Sequence, residues 1–175
     1  GKSYTARRVM QQALSDQAPD REVLLVWVDS ADPDSVTTAF AEAMDQLGHL
    51  GVVARSASKA AEGQRAKALL GLLASSAWRW LIVLDNADAR ALFDAGLVPT
   101  GANPNGRVLA TTRSRDPRIA SHGRAVRAGL FTAEEADAYL RGDPHSAGHG
   151  RGPLSVASEE DTAALAAAVG RHPLA

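Results

Sequence analysis

Three short, nearly unbroken apolar runs constrain this chain most: Val23 to Val28, Trp80 to Leu84 and Val108 to Thr112. Each is too short for an ordinary helix and shows little polar alternation. That is the pattern of a strand buried on both faces, as in a parallel sheet with helices above and below. Between the runs the apolar period becomes helical. Ala6, Val9, Met10, Ala13 and Leu14 follow i, i+3, i+4 spacing in a helix expected from Ser3 to about Gln17, broken by Pro19-Asp20. Asp32 suits an N-cap and Pro33 the first helical position, where its missing N–H is no loss. Val36, Phe40, Met44 and Leu47 form that helix's inner stripe, and Gly48 is its expected stop. Gly51 to Gly63 reads as a loop, and Ala66, Leu69, Leu70 and Leu73 mark the next helix. Asn86-Ala87-Asp88 opens a short helix ending near Gly96, and Arg124 to Ala128 is expected as a fourth strand. Strands alternating with helices imply an α/β fold with a parallel sheet.

The character changes after Phe131. Thr132 and Glu135 have capping-box spacing, in which each side chain bonds the other's backbone N–H. Gly142 to Gly152 is rich in Gly, His and Pro. Ser158-Glu159-Glu160 begins a last helix, with Leu165 and Val169 expected on one face and Gly170 as its stop. The expected division is an α/β core over 1–129 and the start of a helical unit over 130–175.

Composition narrows the function. The formal net charge of −1 argues against a nucleic-acid surface. The absence of cysteine excludes disulfides and thiolate metal sites. No apolar run approaches the roughly 18 residues of a membrane span, and no signal peptide is visible, so a cytoplasmic location is expected.

The chemistry-bearing residues stand at the ends of these elements. Gly1-Lys2-Ser3 matches the close of the phosphate-binding pattern G-x-x-x-x-G-K-[ST]. Lys2 would then meet terminal phosphates and Ser3 would offer its hydroxyl to Mg²⁺, while backbone N–H groups at the helix start cradle phosphate oxygens. The alternative is an ordinary turn before a helix. Asp85 ends the second apolar run, at the strand edge where open α/β sheets bind ligands. It suits Mg²⁺ there, or an N-cap for the helix that follows. Thr112 and Arg113 end the third run. Arg113 suits a terminal phosphate, or a surface pair with Asp116.

Other patterns point to no chemistry. His145 and His149 lie in the Gly-rich stretch without a ligand set around them. Trp27, Trp78 and Trp80 read as core or sheet cover. The arginines at 7–8 and 113–118 read as solvated faces. Ser75, Ser76 and His122 form no nucleophile constellation.

Taken in order, these residues resemble the NB-ARC type of STAND nucleotide-switch ATPases, a class of P-loop NTPases. The nearest resemblance is to bacterial regulators fused to tetratricopeptide repeats. Gly1-Lys2-Ser3 looks like the tail of Walker A, Trp80 to Ala87 like Walker B, and Val108 to Ser114 like the sensor-1 strand with its arginine. Leu130 to Ala136 resembles the family's helix start, and Gly170 to Ala175 its G-x-P-L-A element, whose proline, here Pro173, lies against adenine.

The resemblance implies a sheet ordered 5-1-4-3-2, ATP or ADP with Mg²⁺ as cofactors, and a role in a signalling or transcriptional regulator. Protein partners or self-assembly would act through parts outside this segment. Strand 1 and the rest of the loop would precede Gly1, with strand 1 between the Val108 and Arg124 strands, so the segment alone is expected to bind nucleotide poorly. Asn86 stands where strongly hydrolytic relatives carry an acid. An amide cannot accept a proton from water, so slow ATP turnover is expected, with Asp88 as a substitute acid. The rival expectation is an AAA-type or other P-loop ATPase doing work on a substrate. A third is an interaction module that has lost its nucleotide.

Overall fold

The computed structural model describes residues 2–15, 23–54, 60–99, 103–114, 116, 119, 122–141, 158–168 and 170. Gly1, Pro173, Val169 and the stretch 142–157, with His145 and His149, lie outside them. The chain divides into two units, Lys2–Ala125 and Val126–Ala175.

The first unit is α/β. Its elements are α1 (Lys2–Ser15), β1 (Val23–Asp29), α2 (Pro33–His49), α3 (Glu62–Ser75), β2 (Arg79–Asp85), α4 (Ala89–Asp94) and β3 (Gly106–Ala110). The strands form one parallel sheet in the order β1-β2-β3. Parallel neighbours need a crossover, and α2 with α3 supplies the first while α4 lies in the second.

Side-chain alternation sorts the strands between two layers. Val26, Val28, Trp80, Ile82 and Leu84 face one core with Val36, Phe40, Met44 and Leu47 of α2 and Leu69 and Leu73 of α3. Leu81 and Val83 face the other way, onto Ala6, Met10 and Ala13 of α1, with Leu25, Trp27 and Leu109 beside them. Phe40, Leu69, Leu73 and Ile82 are fully buried, each contributing about 1.5–3 kcal/mol of transfer free energy. The apolar stripe expected on α1 is narrower than its spacing suggests. Val9 and Leu14 are exposed, because only the side of α1 toward the sheet finds apolar partners.

The expected start of α2 holds. Asp32 accepts the Ser35 N–H at 2.8 Å, and Pro33 begins the helix. Its end differs. Gly48 is buried inside the helix, and Gly51 takes the left-handed turn at φ 74°. The Val52 and Gly51 N–H groups then bond the Leu47 and Gly48 carbonyls at 2.9 and 3.2 Å, closing a Schellman motif. Gly96 ends α4 in the same way, with φ 66°.

β3 starts earlier than the apolar run suggests, at Gly106. Gly106 pairs with Trp80 in the ladder, and a Cβ there would meet the Trp80 ring at 2.0 Å. Residues 124–128 form no strand. They are exposed and join no ladder, and a strand exists only through a hydrogen-bonded neighbour.

In the second unit, α5 (Ala133–Arg141) and α6 (Glu159–Ala168) pack through Ala136, Leu140 and Ala166, with Phe131 alongside. The expected capping box starts α5. Thr132 N–H donates to Glu135 Oε2 at 2.9 Å, and Glu135 N–H to Thr132 Oγ1 at 3.2 Å. Ser158 caps α6 by accepting the Asp161 N–H at 3.1 Å. Leu165 is exposed rather than on the inner face. The i, i+4 pair Thr162 and Ala166 takes that face instead. Gly170 follows α6 at φ 66°.

Candidate functional site at the strand edge

All three strands run parallel, so their carboxyl ends share one edge, and this edge carries the polar residues. Periodicity decides which meet. On α1, Ser3, Ala6 and Met10 lie three and four residues apart, hence on one side of the helix. On β2, Leu81, Val83 and Asp85 share a face. Ala6 packs on Leu81 and Val83. One turn earlier on the helix and one pleat further on the strand, Ser3 meets Asp85.

The contact is a hydrogen bond of 2.8 Å from the Ser3 hydroxyl to Asp85 Oδ1. Both side chains are partly buried. Thr111 donates to the same oxygen at 2.5 Å. It follows Leu109 by two residues and so projects to the α1 side as well. Its burial (8% exposed) leaves its hydroxyl little access to water. Thr111 Oγ1 also accepts the Asn86 N–H at 3.0 Å. Asn86 sits in the left-handed region at φ 59°, which Asn tolerates better than most residues.

Backbone bonds stitch the strand ends together. The Ser30 N–H and hydroxyl both donate to the Asp85 carbonyl, at 2.8 and 2.7 Å. The Ala87 N–H donates to the Thr111 carbonyl at 2.8 Å. Asp85 is not the cap of α4. Asp88 fills that position, accepting the Ala91 N–H at 3.3 Å. Just past β1, the Asp32 carboxyl is held below its ordinary value, chiefly by the Ser35 backbone N–H and then by the Ser35 hydroxyl.

Ser3 and Asp85 are thus brought together among the residues singled out from sequence. Lys2 is exposed in the first turn of α1, beside Ser3. Asn86 is exposed and follows Asp85 directly. Thr112 is partly buried, but its hydroxyl serves the backbone: it donates to the Ala87 carbonyl at 2.7 Å and accepts the Ser114 N–H at 3.0 Å. Arg113 is exposed beyond the end of β3. Gly1 and Pro173 lie outside the described residues. Elsewhere, Trp80 is core, and Trp27 covers the sheet with the Arg7 guanidinium 5.7 Å from its ring. His122 stacks on Phe93 with centroids 4.2 Å apart.

Thr111 and Ser30 are the contributors that sequence motifs miss. For Thr111 the signal was present: its parity with Leu109, matched to that of Asp85 with Val83, places both on one face.

The paired hydroxyl and carboxylate are hard oxygen donors. Such a set suits Mg²⁺, which takes few protein ligands and keeps water or phosphate oxygens for the rest. Among the described residues, no three His, Cys, Asp or Glu side chains converge as a metal-binding group. None of their helices is long and apolar enough to cross a membrane. Comparison with protein-family models, with curated proteins and with solved structures finds no match.

Proposed function

We propose that this segment is the nucleotide-binding part of a STAND-type switch of the NB-ARC kind, holding ADP at rest and Mg-ATP when active. The observation that carries the reading is the 2.8 Å bond between Ser3, in the first turn of α1, and Asp85, at the carboxyl end of β2. A phosphate-loop hydroxyl and a Walker B carboxylate have to meet in this way to share one cation. The strand order supports it too, since β1-β2-β3 matches the run 2-3-4 within the implied order 5-1-4-3-2.

In this reading Lys2 holds phosphate oxygens, Ser3 and Asp85 hold Mg²⁺, and Arg113 reaches a terminal phosphate. Bound Mg²⁺ would neutralise phosphate charge. Asn86 offers no carboxylate to accept a proton from water. Asp88 is engaged in capping α4. Slow turnover follows, which suits a device whose output is conformation. An ATPase built for work would instead need an acid beside Asp85.

The test is calorimetric titration of ADP and ATP, with and without Mg²⁺, into the full-length protein. Mg²⁺ should tighten ATP binding, and that gain should vanish in Asp85→Ala. Failure of the unmodified protein to bind either nucleotide would overturn the proposal.

A further inference from the structure

Thr111 occupies a position with one chemical solution. A hydroxyl has one proton to donate and lone pairs to accept. The Asp85 carboxylate can only accept, and the Asn86 N–H can only donate. The Thr111 proton is therefore committed to Asp85 Oδ1, at 2.5 Å, and its lone pair to Asn86, at 3.0 Å. Both bonds are formed by one buried side chain, with the threonine β-carbon restricting its χ1. Ser3 donates to Oδ1 as well. Among the described residues, the side-chain hydrogen bonds to the Asp85 carboxylate both go to Oδ1.

We propose that Thr111 is the positioning residue of this edge: its hydroxyl locks the Asp85 carboxylate to the left-handed Asn86 peptide, so that the two are set as one unit. Thr112, the neighbour that the strand-end motif favours, has its hydroxyl bonded to Ala87 and Ser114 and takes no part. The two hydroxyls on Oδ1 differ in what else they can do. Ser3 is the one offered to a cation under the proposed function. Thr111 is tied to the backbone of β2's exit and remains on Asp85 whatever Ser3 binds. The consequence for Mg²⁺ rests on the nucleotide-switch reading, whereas the coupling of Asp85 to Asn86 does not.

The experiment therefore has two arms. The first is amide hydrogen exchange at Asn86, without nucleotide, in the unmodified protein, Thr111→Val, Asp85→Ala and the double variant. Thr111→Val removes the acceptor, and exchange at Asn86 should rise about two- to tenfold, the range expected for one hydrogen bond. Asp85→Ala leaves the acceptor in place but frees the hydroxyl to rotate. Exchange should rise there too, and the double variant should add nothing to Thr111→Val. Thr111→Ser should restore the unmodified rate. Unchanged exchange in Asp85→Ala, or additive effects in the double variant, would overturn the proposal. Asp85→Ala leaves Thr111 intact, so this arm decides the matter even if Thr111→Val fails to fold.

The second arm measures the gain in ATP affinity produced by Mg²⁺. Thr111→Val should cut that gain by at least about fivefold, with Thr111→Ser restoring it. A full Mg²⁺ gain in a folded Thr111→Val would also overturn the positioning role. Absence of nucleotide binding in the unmodified protein would instead remove the proposed function, and the exchange cycle would still decide the coupling.

Discussion

The Trp80 indole lies across Gly106 on the neighbouring strand, where a Cβ at residue 106 would stand 2.0 Å from Cζ2 and 2.2 Å from Cε2 of the ring. The ring is fixed there. It is buried, and its Nε1–H donates to the Leu73 carbonyl at 3.0 Å. Asn103 donates to the same carbonyl at 2.7 Å, tying the loop before β3 to the end of α3. Gly106 is thus required by close approach and not by a turn.

Gly106→Ala should accordingly destabilise the α/β unit by about 1–3 kcal/mol, the usual cost of overpacking, in urea denaturation. Trp80→Phe removes the outer ring that the methyl would strike. The double variant should therefore be less destabilised than the sum of the singles, by at least about 0.5 kcal/mol. Strict additivity would mean the indole is not what excludes the side chain.

Asn86 gives a second stability test and a functional one. Its φ of 59° disfavours a Cβ that lacks a polar group able to bond locally. Asn86→Ala should destabilise by about 1–2 kcal/mol, and Asn86→Gly should be neutral or stabilising. Asp tolerates this region, so Asn86→Asp should fold normally. Under the proposed function it should bind nucleotide much as before and hydrolyse ATP faster, because it supplies the missing proton acceptor. A steady-state assay showing no change in turnover would remove position 86 from the water's path.

The pieces legible in the sequence were those in which one local rule sufficed. The runs at β1 and β2 have no competing reading as short apolar segments. Asp32-Pro33 and Thr132-Glu135 cap helices through bonds that their own spacing determines. Rules that depend on a neighbour were less readable. Gly48 and Gly51 are the same residue type, and only the chain's exit path decides which takes positive φ. Val9, Leu14 and Leu165 fit a helical stripe, yet the facing surface is too narrow to cover them. Arg124 to Ala128 has strand-like residues but no ladder to join. At the site, Asp85 was legible as a strand end, whereas Thr111 required the parity of two strands to be compared.

Under the proposed function, the phosphate-binding roles should separate by nucleotide. Lys2 would bond phosphates common to ADP and ATP, so Lys2→Ala should weaken both. Losing charge-assisted bonds worth roughly 1.5–3 kcal/mol each corresponds to at least about tenfold in affinity. Arg113 follows β3 and would reach only the terminal phosphate, so Arg113→Ala should weaken ATP more than ADP. Calorimetry on both variants checks this. Equal losses in Arg113→Ala would make it a structural arginine, and unchanged affinities in Lys2→Ala would sink the phosphate assignment.

The helical unit carries its own acid-sensitive contact. Asp137, on α5, accepts from the buried Thr162 hydroxyl of α6 and from Arg141 Nε, the latter at 2.7 Å. Its carboxyl is held below the ordinary value of 3.8, first by the Thr162 hydrogen bond and then by Arg141. A lowered folded-state pKa makes the ionised carboxylate a stabilising partner. That contribution is fully present above the unfolded-state value and is lost as pH falls through the folded one, so the window lies below about pH 4. Protonation would leave the carboxyl a weaker acceptor for both partners and loosen the packing of α5 on α6. Thr162→Val removes the leading cause and keeps the shape. The Asp137 carboxyl should then titrate at higher pH, and the Ala136 and Ala166 resonances should lose dispersion earlier in an acid titration followed by NMR. Identical titrations in the two proteins would show that Arg141 alone holds the carboxylate and that the Thr162 bond does not join the helices.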